Sequence, residues 1–323
     1  MKYLARRFVY ATLLLAGISL FSFALLQWAP GDYFDSMRLD PRISSQTVDG
    51  IRAEYGVKRP FVVRYAHWVK SALKGDMGFS FAYGTPVGPL LWTRARNTLL
   101  LTSCATLLAW LLAIPIGIWC AANKGALGDQ MCGVAMSTLL TVPDLLLALA
   151  LLLLAVRTGW FPTGGMVSVS VDQAGVWSMA ADVARHLVLP AFGLALATLP
   201  VLVRHIRSAM IDALGSPFVR AARGHGIPRA RLLFRYALPA ASNPLISLLG
   251  FSIATMLSVS VIVEVVLGWP GLGPLMVQAI LARDLYVVIG VVMLSSVFLV
   301  AGNFVADVLL FMTDPRIRVE LNS

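Results

Sequence analysis

Charge is scarce in this sequence. Only 13% of its 323 residues are Asp, Glu, Lys or Arg, against 58% hydrophobic residues, and mean hydropathy is +0.79. A soluble core does not need that much apolar sequence, so composition points to an integral membrane protein. Acids are scarcer than bases, 16 against 26, for a formal net charge of +10. The excess does not indicate nucleic-acid binding, because the basic residues flank apolar runs and do not line a polar domain. Cysteine is nearly absent. Cys104, Cys120 and Cys132 lie in or beside apolar stretches, without metal-ligand spacing or a disulfide framework, and read as small packing residues. The four histidines, His67, His186, His205 and His225, are scattered without zinc-site spacing and read as surface or interface residues. No metal site is expected. A Gly-x-x-x-x-Gly-Lys-Ser/Thr phosphate loop is missing, so the chain should not bind ATP by that route. His-Glu-x-x-His and Gly-x-Ser-x-Gly are missing too. Asp144 and Asp307 lack the flanking glycines of an intramembrane aspartate pair, which leaves a membrane-embedded protease without its chemistry. No internal repeat is visible, which argues against a two-halved secondary transporter.

Long apolar runs are present. A membrane helix needs about 20 apolar residues, and six stretches qualify: 8–29, 98–122, 133–156, 186–206, 243–267 and 286–312. The first is too long for a signal-peptide core of about 7–15 residues and reads as an uncleaved first helix. Pro115, Pro143, Pro190 and Pro200 fall within spans, which neighbouring helices can tolerate. Thirteen Lys and Arg fall in the N-tail, the loop after span two, the loop after span four and the C-tail. The two short loops opposite hold three, and the 68-residue loop 30–97 holds the other ten. The asymmetry predicts both termini and the 204–242 loop in the cytoplasm. The expected division is 1–97 (first helix and outer loop), 98–312 (a five-helix core) and 313–323 (a tail).

The outer loop carries structure of its own. Ser44 or Ser45 can cap a helix that Gly56 stops. A second helix is expected from Pro60 to Gly75, with Val62, Tyr65, Val69 and Leu73 as its apolar face.

Between spans four and five runs "FVRAARGHGIPRARLLFRYALP", Phe218 to Pro239, with five arginines and no acid. Basic loops favour anionic lipid, but the details ask for more. Phe218, Ala221 and Ala222 make a small, smooth patch on a short helix. Gly226 can take the left-handed conformation that ends it. Pro228 can open a second helix, whose Leu232, Leu233 and Tyr236 give an apolar face leading to Leu238 and Pro239. A rigid helix–turn–helix able to transmit a push is expected.

This segment resembles the cytoplasmic coupling loop of ABC-importer permease subunits. That pattern is Glu-Ala-Ala, three residues, Gly, nine residues, an apolar residue, one more, then Leu-Pro. Ala221, Ala222, Gly226, Tyr236, Leu238 and Pro239 match it. Arg220 stands where the general pattern has Glu, a departure often seen in peptide importers. "APGD" (Ala29 to Asp32), "YGVKRPFVVRYAHWVKSALKGDMGFSF", "TGWFPTGG", "HLVLPAFGLALATLP", "VIVEVVLGWPGLG" and "DPRIR" resemble the dipeptide, oligopeptide and nickel permeases, over essentially the whole chain. Asp144 departs, standing where these subunits usually have a small or apolar residue.

The resemblance implies an all-α polytopic fold of the type I importer, with six transmembrane helices, a large extracytoplasmic loop and a cytoplasmic coupling helix. It implies a non-enzymatic permease in the cell (inner) membrane. The expected partners are a second, similar permease as heterodimer, two cytoplasmic ATPases that bind ATP and Mg, an extracytoplasmic binding protein and membrane lipid. Dipeptides or oligopeptides are the first-choice solute, with nickel or another small solute second. Ionisable residues inside spans suggest function by default. Glu264 either orders an outer gate or is a structural carboxylate paired within the helices. Asp307 has Asn303 one turn away as a partner, and Asp144 is expected near the cytoplasmic end of its span. Gly268 and Gly271 are expected to form a tight outer turn in "GWPGLG", with Trp269 at the membrane interface and Pro270 and Gly273 in the same gate segment.

Overall fold

A computed structural model of the chain describes residues 2–28, 37–38, 44, 46, 48, 50, 60–168 and 175–313. Ala29–Asp32, Ser45, Gly56 and Asp314–Arg318, singled out above, lie outside the described residues. The chain packs as two units, Met1–Thr98 with Pro270–Val300, and Leu99–Trp269 with Ala301–Ser323.

The first unit begins with α1 (Lys2–Trp28), followed by α2 (Phe61–Ala72). Phe23 of α1 is the anchor. Its ring stands 5.7, 5.6 and 6.1 Å from those of Phe61, Tyr65 and Trp68, and Ile289 completes the buried cluster. The contacts with Phe61 and Tyr65 are edge-on, a geometry that adds to simple area burial. The Ser19 and Tyr65 hydroxyls share a hydrogen bond of 2.8 Å. Of the expected apolar face of α2, Tyr65 and Val69 pack on this cluster, whereas Val62 and Leu73 are exposed and Phe61, Trp68 and Ala72 complete the face. Gly75, in the turn after α2, is left-handed at φ +89°.

A short antiparallel hairpin follows, β1 (Phe79–Ser80) with β2 (Thr85–Pro86). Buried Asp284 holds it, accepting hydrogen bonds from Ser80 Oγ (2.7 Å) and the Ala82 amide (3.1 Å). α3 (Val87–Ala122) starts here and packs Val87, Leu91 and Ala95 against α11 (Leu272–Leu281) and the start of α12 (Leu285–Thr313). Thr98 Oγ1 accepts the Leu272 amide at 2.8 Å, which satisfies an orphan donor at the N-terminus of α11.

The second unit is built around α6 (Val176–Leu214). Two thirds (67%) of its apolar stretch is buried, against 11–33% for the other four long apolar helices, which makes it the central helix. At about 1.5 Å per residue its 39 residues reach roughly 58 Å, far beyond a hydrocarbon core of about 30 Å, so the helix runs past its apolar stretch at both ends, with residues 204–214 as the C-terminal stalk. Around it pack α4 (Leu127–Thr141), α5 (Asp144–Thr158) and α10 (Ser242–Val266). The Trp110 indole donates to Ser252 Oγ at 3.1 Å and ties α3 to α10. α10 and the last part of α12 meet through glycines. A Cβ on Gly250 would lie 2.9 Å from Ala306 Cβ, and one on Gly302 would lie 2.6 Å from Ile253 Cγ2.

The third expected span is not one straight helix. α4 and α5 meet at 97°, because Val142 and Pro143 take extended backbone (ψ 120° and 138°) between them. Asp144 therefore opens the second arm, a whole 15-residue helix after the loop that precedes α4. Five described helices are long and apolar enough to cross a membrane, six if the bent pair counts as one.

Candidate functional site

The basic segment is built upward from the end of α6. Met210 and Ala213 are buried there. Ser216, extended at ψ 149°, precedes α7 (Pro217–Gly224), with Pro217 at the first helical turn, where its missing N–H costs nothing. One residue pins α7. Val219 is fully buried, while Phe218 (52% exposed), Arg220, Ala221 and Arg223 face outward and Ala222 is half-buried. Gly226 then takes φ +76°, and the His225 and Gly226 amides donate to Ala221 O and Arg223 O, both at 3.1 Å. The helix thus ends on a left-handed glycine, as its sequence position predicts. Pro228 flanks the next element rather than sitting inside it. α8 (Arg229–Arg231) runs into a π-helical turn, Leu232–Ala237, and then α9 (Leu238–Ala240). A wider turn fits this place, since Pro239 offers no N–H and its ring crowds the carbonyl four residues earlier. Leu232 and Ala237 are buried, Leu233, Tyr236 and Leu238 are half-buried, and Pro239 is exposed. Phe234, which the sequence pattern did not single out, is 60% exposed.

Two arginines fix this assembly to the rest of the unit. Arg229 donates to the Ala122 carbonyl at the end of α3 and, at 3.1 Å, to Asn123 Oδ1. A cation is favourable at a helix C-terminus, where carbonyls lack intrahelical partners. Arg207, on the stalk of α6, donates through Nε and Nη2 to the two carboxylate oxygens of Asp129, at 2.6 and 2.7 Å. The fork geometry suits guanidinium and carboxylate. Asp129 also accepts the Gly125 amide at 2.9 Å. Sequence reasoning missed Asp129. The signal available was a single acid in the first turn of α4, just after a short loop, opposite a strongly basic one.

The "GWPGLG" segment divides at the boundary between the units. In the second unit, α10 ends with Gly268 at φ +64°, and the Trp269 amide returns to Glu264 O at 2.9 Å. The Gly165 amide donates to Gly268 O at 3.1 Å, so "TGWFPTGG" closes over this turn. Trp269 is fully buried in the main core, not at an interface as expected. The left-handed glycine swings the chain so that the indole enters the packing. Glu264 is fully buried as well. In the first unit, Gly271 is extended (φ −100°, ψ −159°) and precedes α11, so the tight turn rests on Gly268 alone. The Pro270 carbonyl accepts from Asn97 Nδ2 at 2.8 Å, and Gly273 is buried in α11. Asp144 is half-buried on α5, and Asp307 is buried on α12. His186, expected at a surface or interface, is buried, its Nδ1 2.9 Å from the Asp182 carbonyl.

The family described as "binding-protein-dependent transport system inner membrane component" matches residues 113–319, and its N-terminal counterpart matches residues 1–100. The chain belongs to this family. Among its relatives in the family, the oligopeptide transport system permease protein AppB of Bacillus subtilis (strain 168) is 36% identical, over 98% of this chain and 99% of its own. The oligopeptide transport system permease protein OppB of Mycobacterium tuberculosis (strain ATCC 25618 / H37Rv) is 32% identical, over 98% and 99%. The dipeptide transport system permease protein DppB of Escherichia coli (strain K12) is 30% identical, over 98% and 99%. A chain of the inward-facing MetNI methionine ABC transporter shares the fold at a TM-score of 0.57 and 16% identity, over 70% of this chain and 96% of its own. The chain is thus a multi-pass component of an inner-membrane transport system, with the fold of type I importer permeases.

Proposed function

We propose that this chain is a permease subunit of an ATP-driven peptide importer. It forms the translocation path with a second, similar permease and couples that path to two cytoplasmic ATPases. Peptide as the solute is supported by relatives named as oligopeptide and dipeptide permeases that align along almost the whole chain. An extracytoplasmic binding protein delivers the solute. ATP and Mg are held by the ATPases, and both termini and residues 204–242 lie on their side of the membrane.

The observation that carries the reading is the build of the basic segment. A short helix shows Phe218 and Ala221 outward, is held inward by Val219, ends at Gly226 and stands on the far end of the central helix. Arg229 and the Arg207–Asp129 pair brace it against α3 and α4. A push on the exposed face is therefore delivered to α6 and α4 together, as a rigid body and not as bending of a loop. Arg220, exposed on that face, would meet the ATPase where the general family pattern has Glu.

The test is co-purification from detergent-solubilised membranes, followed by uptake of a labelled dipeptide and a labelled oligopeptide into proteoliposomes. The native chain should bring down two ATPases and a second permease and support ATP-dependent uptake. Ala222→Glu and Gly226→Pro should lose the ATPases while keeping the second permease. Recovery of no ATPase with the native chain would refute the reading, and ATP-dependent uptake of another solute but neither peptide would refute its peptide part.

A further inference from the structure

A cavity of about 270 Å³ opens in the second unit between α4 and α6, at the end that carries the basic segment. Its lining is graded. Met136, Leu140, Pro200 and Val203 form one end, and Gln130, Asp129, Arg204 and Arg207 form the other. The grading follows from chain direction. α4 leaves the polar end at Asp129 and reaches Leu140 three turns later, while α6 arrives at Pro200 and comes to Arg207 two turns later.

The charges in the lining do not cancel. Arg207 is matched by Asp129. Arg204, one turn earlier on α6, is exposed and has no acidic partner among the described residues. It is also the first charged residue after the apolar run His186–Val203. A cation at that point marks the edge of the hydrocarbon layer.

We propose that this cavity binds one anionic phospholipid, with its phosphodiester at Arg204 and Gln130 and an acyl chain against Met136, Leu140 and Val203. One excess cation fits a ligand with one negative charge. The apolar end would stay unfilled by free phosphate, which shares only the headgroup chemistry. Basic pockets between membrane helices bind lipid headgroups in this way. The inference rests on the chain spanning a membrane and is independent of which solute it carries.

The test uses the full chain, purified in mild detergent with whatever subunits accompany it, and native mass spectrometry. Phosphatidylglycerol should be retained in preference to phosphatidylcholine. Arg204→Gln should lower that retention about fivefold, the effect of about one basic contact. Arg204→Lys should largely keep it, and Arg223→Gln, on the exposed face of α7, should leave it unchanged. Equal retention in Arg204→Gln, or equal loss in Arg223→Gln, would overturn the proposal. Inorganic phosphate binding as tightly as the lipid would assign the cavity to a free anion and overturn it too. A readout on the native chain needs no variant. Cys132 lines the same cavity, so its alkylation should slow in nanodiscs containing phosphatidylglycerol relative to phosphatidylcholine alone, and equal rates count against the lipid.

Discussion

Arg207 holds Asp129 by two hydrogen bonds, at 2.6 and 2.7 Å, across 78 positions of sequence. The pair joins the stalk of the central helix to the first turn of α4. At least two of the arginines between the fourth and fifth spans therefore have fixed structural partners, and the segment is more than a topology signal.

Breaking that pair should loosen the stalk. Asp129→Asn is expected to cost about 1–2 kcal/mol, the range for a charge-assisted bond discounted for the solvent that still reaches Arg207. The proposed coupling should suffer more than folding does. The check is a thermal midpoint in detergent beside ATP-dependent uptake in proteoliposomes. The exchange Asp129→Arg with Arg207→Asp should recover part of both.

Three glycines at helix ends give a graded series. Gly215 is right-handed (φ −79°), and an added Cβ would meet only ordinary contacts at 3.5 and 3.6 Å, so Gly215→Ala should be nearly neutral. Gly226 has φ +76° and open space, so Gly226→Ala should cost only the left-handed strain, roughly 1–2 kcal/mol. Gly268 has φ +64° and Gly164 Cα at 3.3 Å from the added Cβ, so Gly268→Ala should cost the most. Thermal midpoints of the three variants give the order directly, and equal midpoints would contradict it.

Trp269→Ala should be severe. A fully buried indole in the main core leaves a large void, worth about 3–5 kcal/mol. A tryptophan at a membrane interface would lose far less. Expression level and thermal midpoint distinguish the two.

Glu264→Gln keeps shape and removes the ionisable group from a fully buried side chain. If Glu264 orders a gate, uptake should fall several-fold while the thermal midpoint stays near native. Unchanged uptake would leave Glu264 a structural carboxylate.

The spans were legible because an apolar run of sufficient length is itself the physical requirement for crossing a membrane. Gly226 was legible because a left-handed helix end has few other residues to choose from. The features that were not legible depend on distant partners. Nothing near Asp129 in sequence announces Arg207. The expectation for Trp269 rests on an average preference of aromatics for interfaces, which the turn at Gly268 overrides. In α2 the period and two of the four face residues are legible, but Phe23, an aromatic from another helix, draws Phe61 and Trp68 onto the face in place of Val62 and Leu73. Pro143 is a proline that a membrane helix can tolerate, yet the sequence does not say that Val142 joins it in extended backbone and turns the chain through a right angle.

That bend has a consequence for how the protein is made. Each arm has 15 residues, about 22 Å of helix, whereas a bilayer interior is about 30 Å thick. Neither arm can cross by itself, so hydrophobicity alone does not settle where α4 and α5 come to rest. The helix that holds them, α6, is synthesised after both. α10, which packs on α5, comes later still, so the bent arrangement gains its packing partners only once those segments have been made.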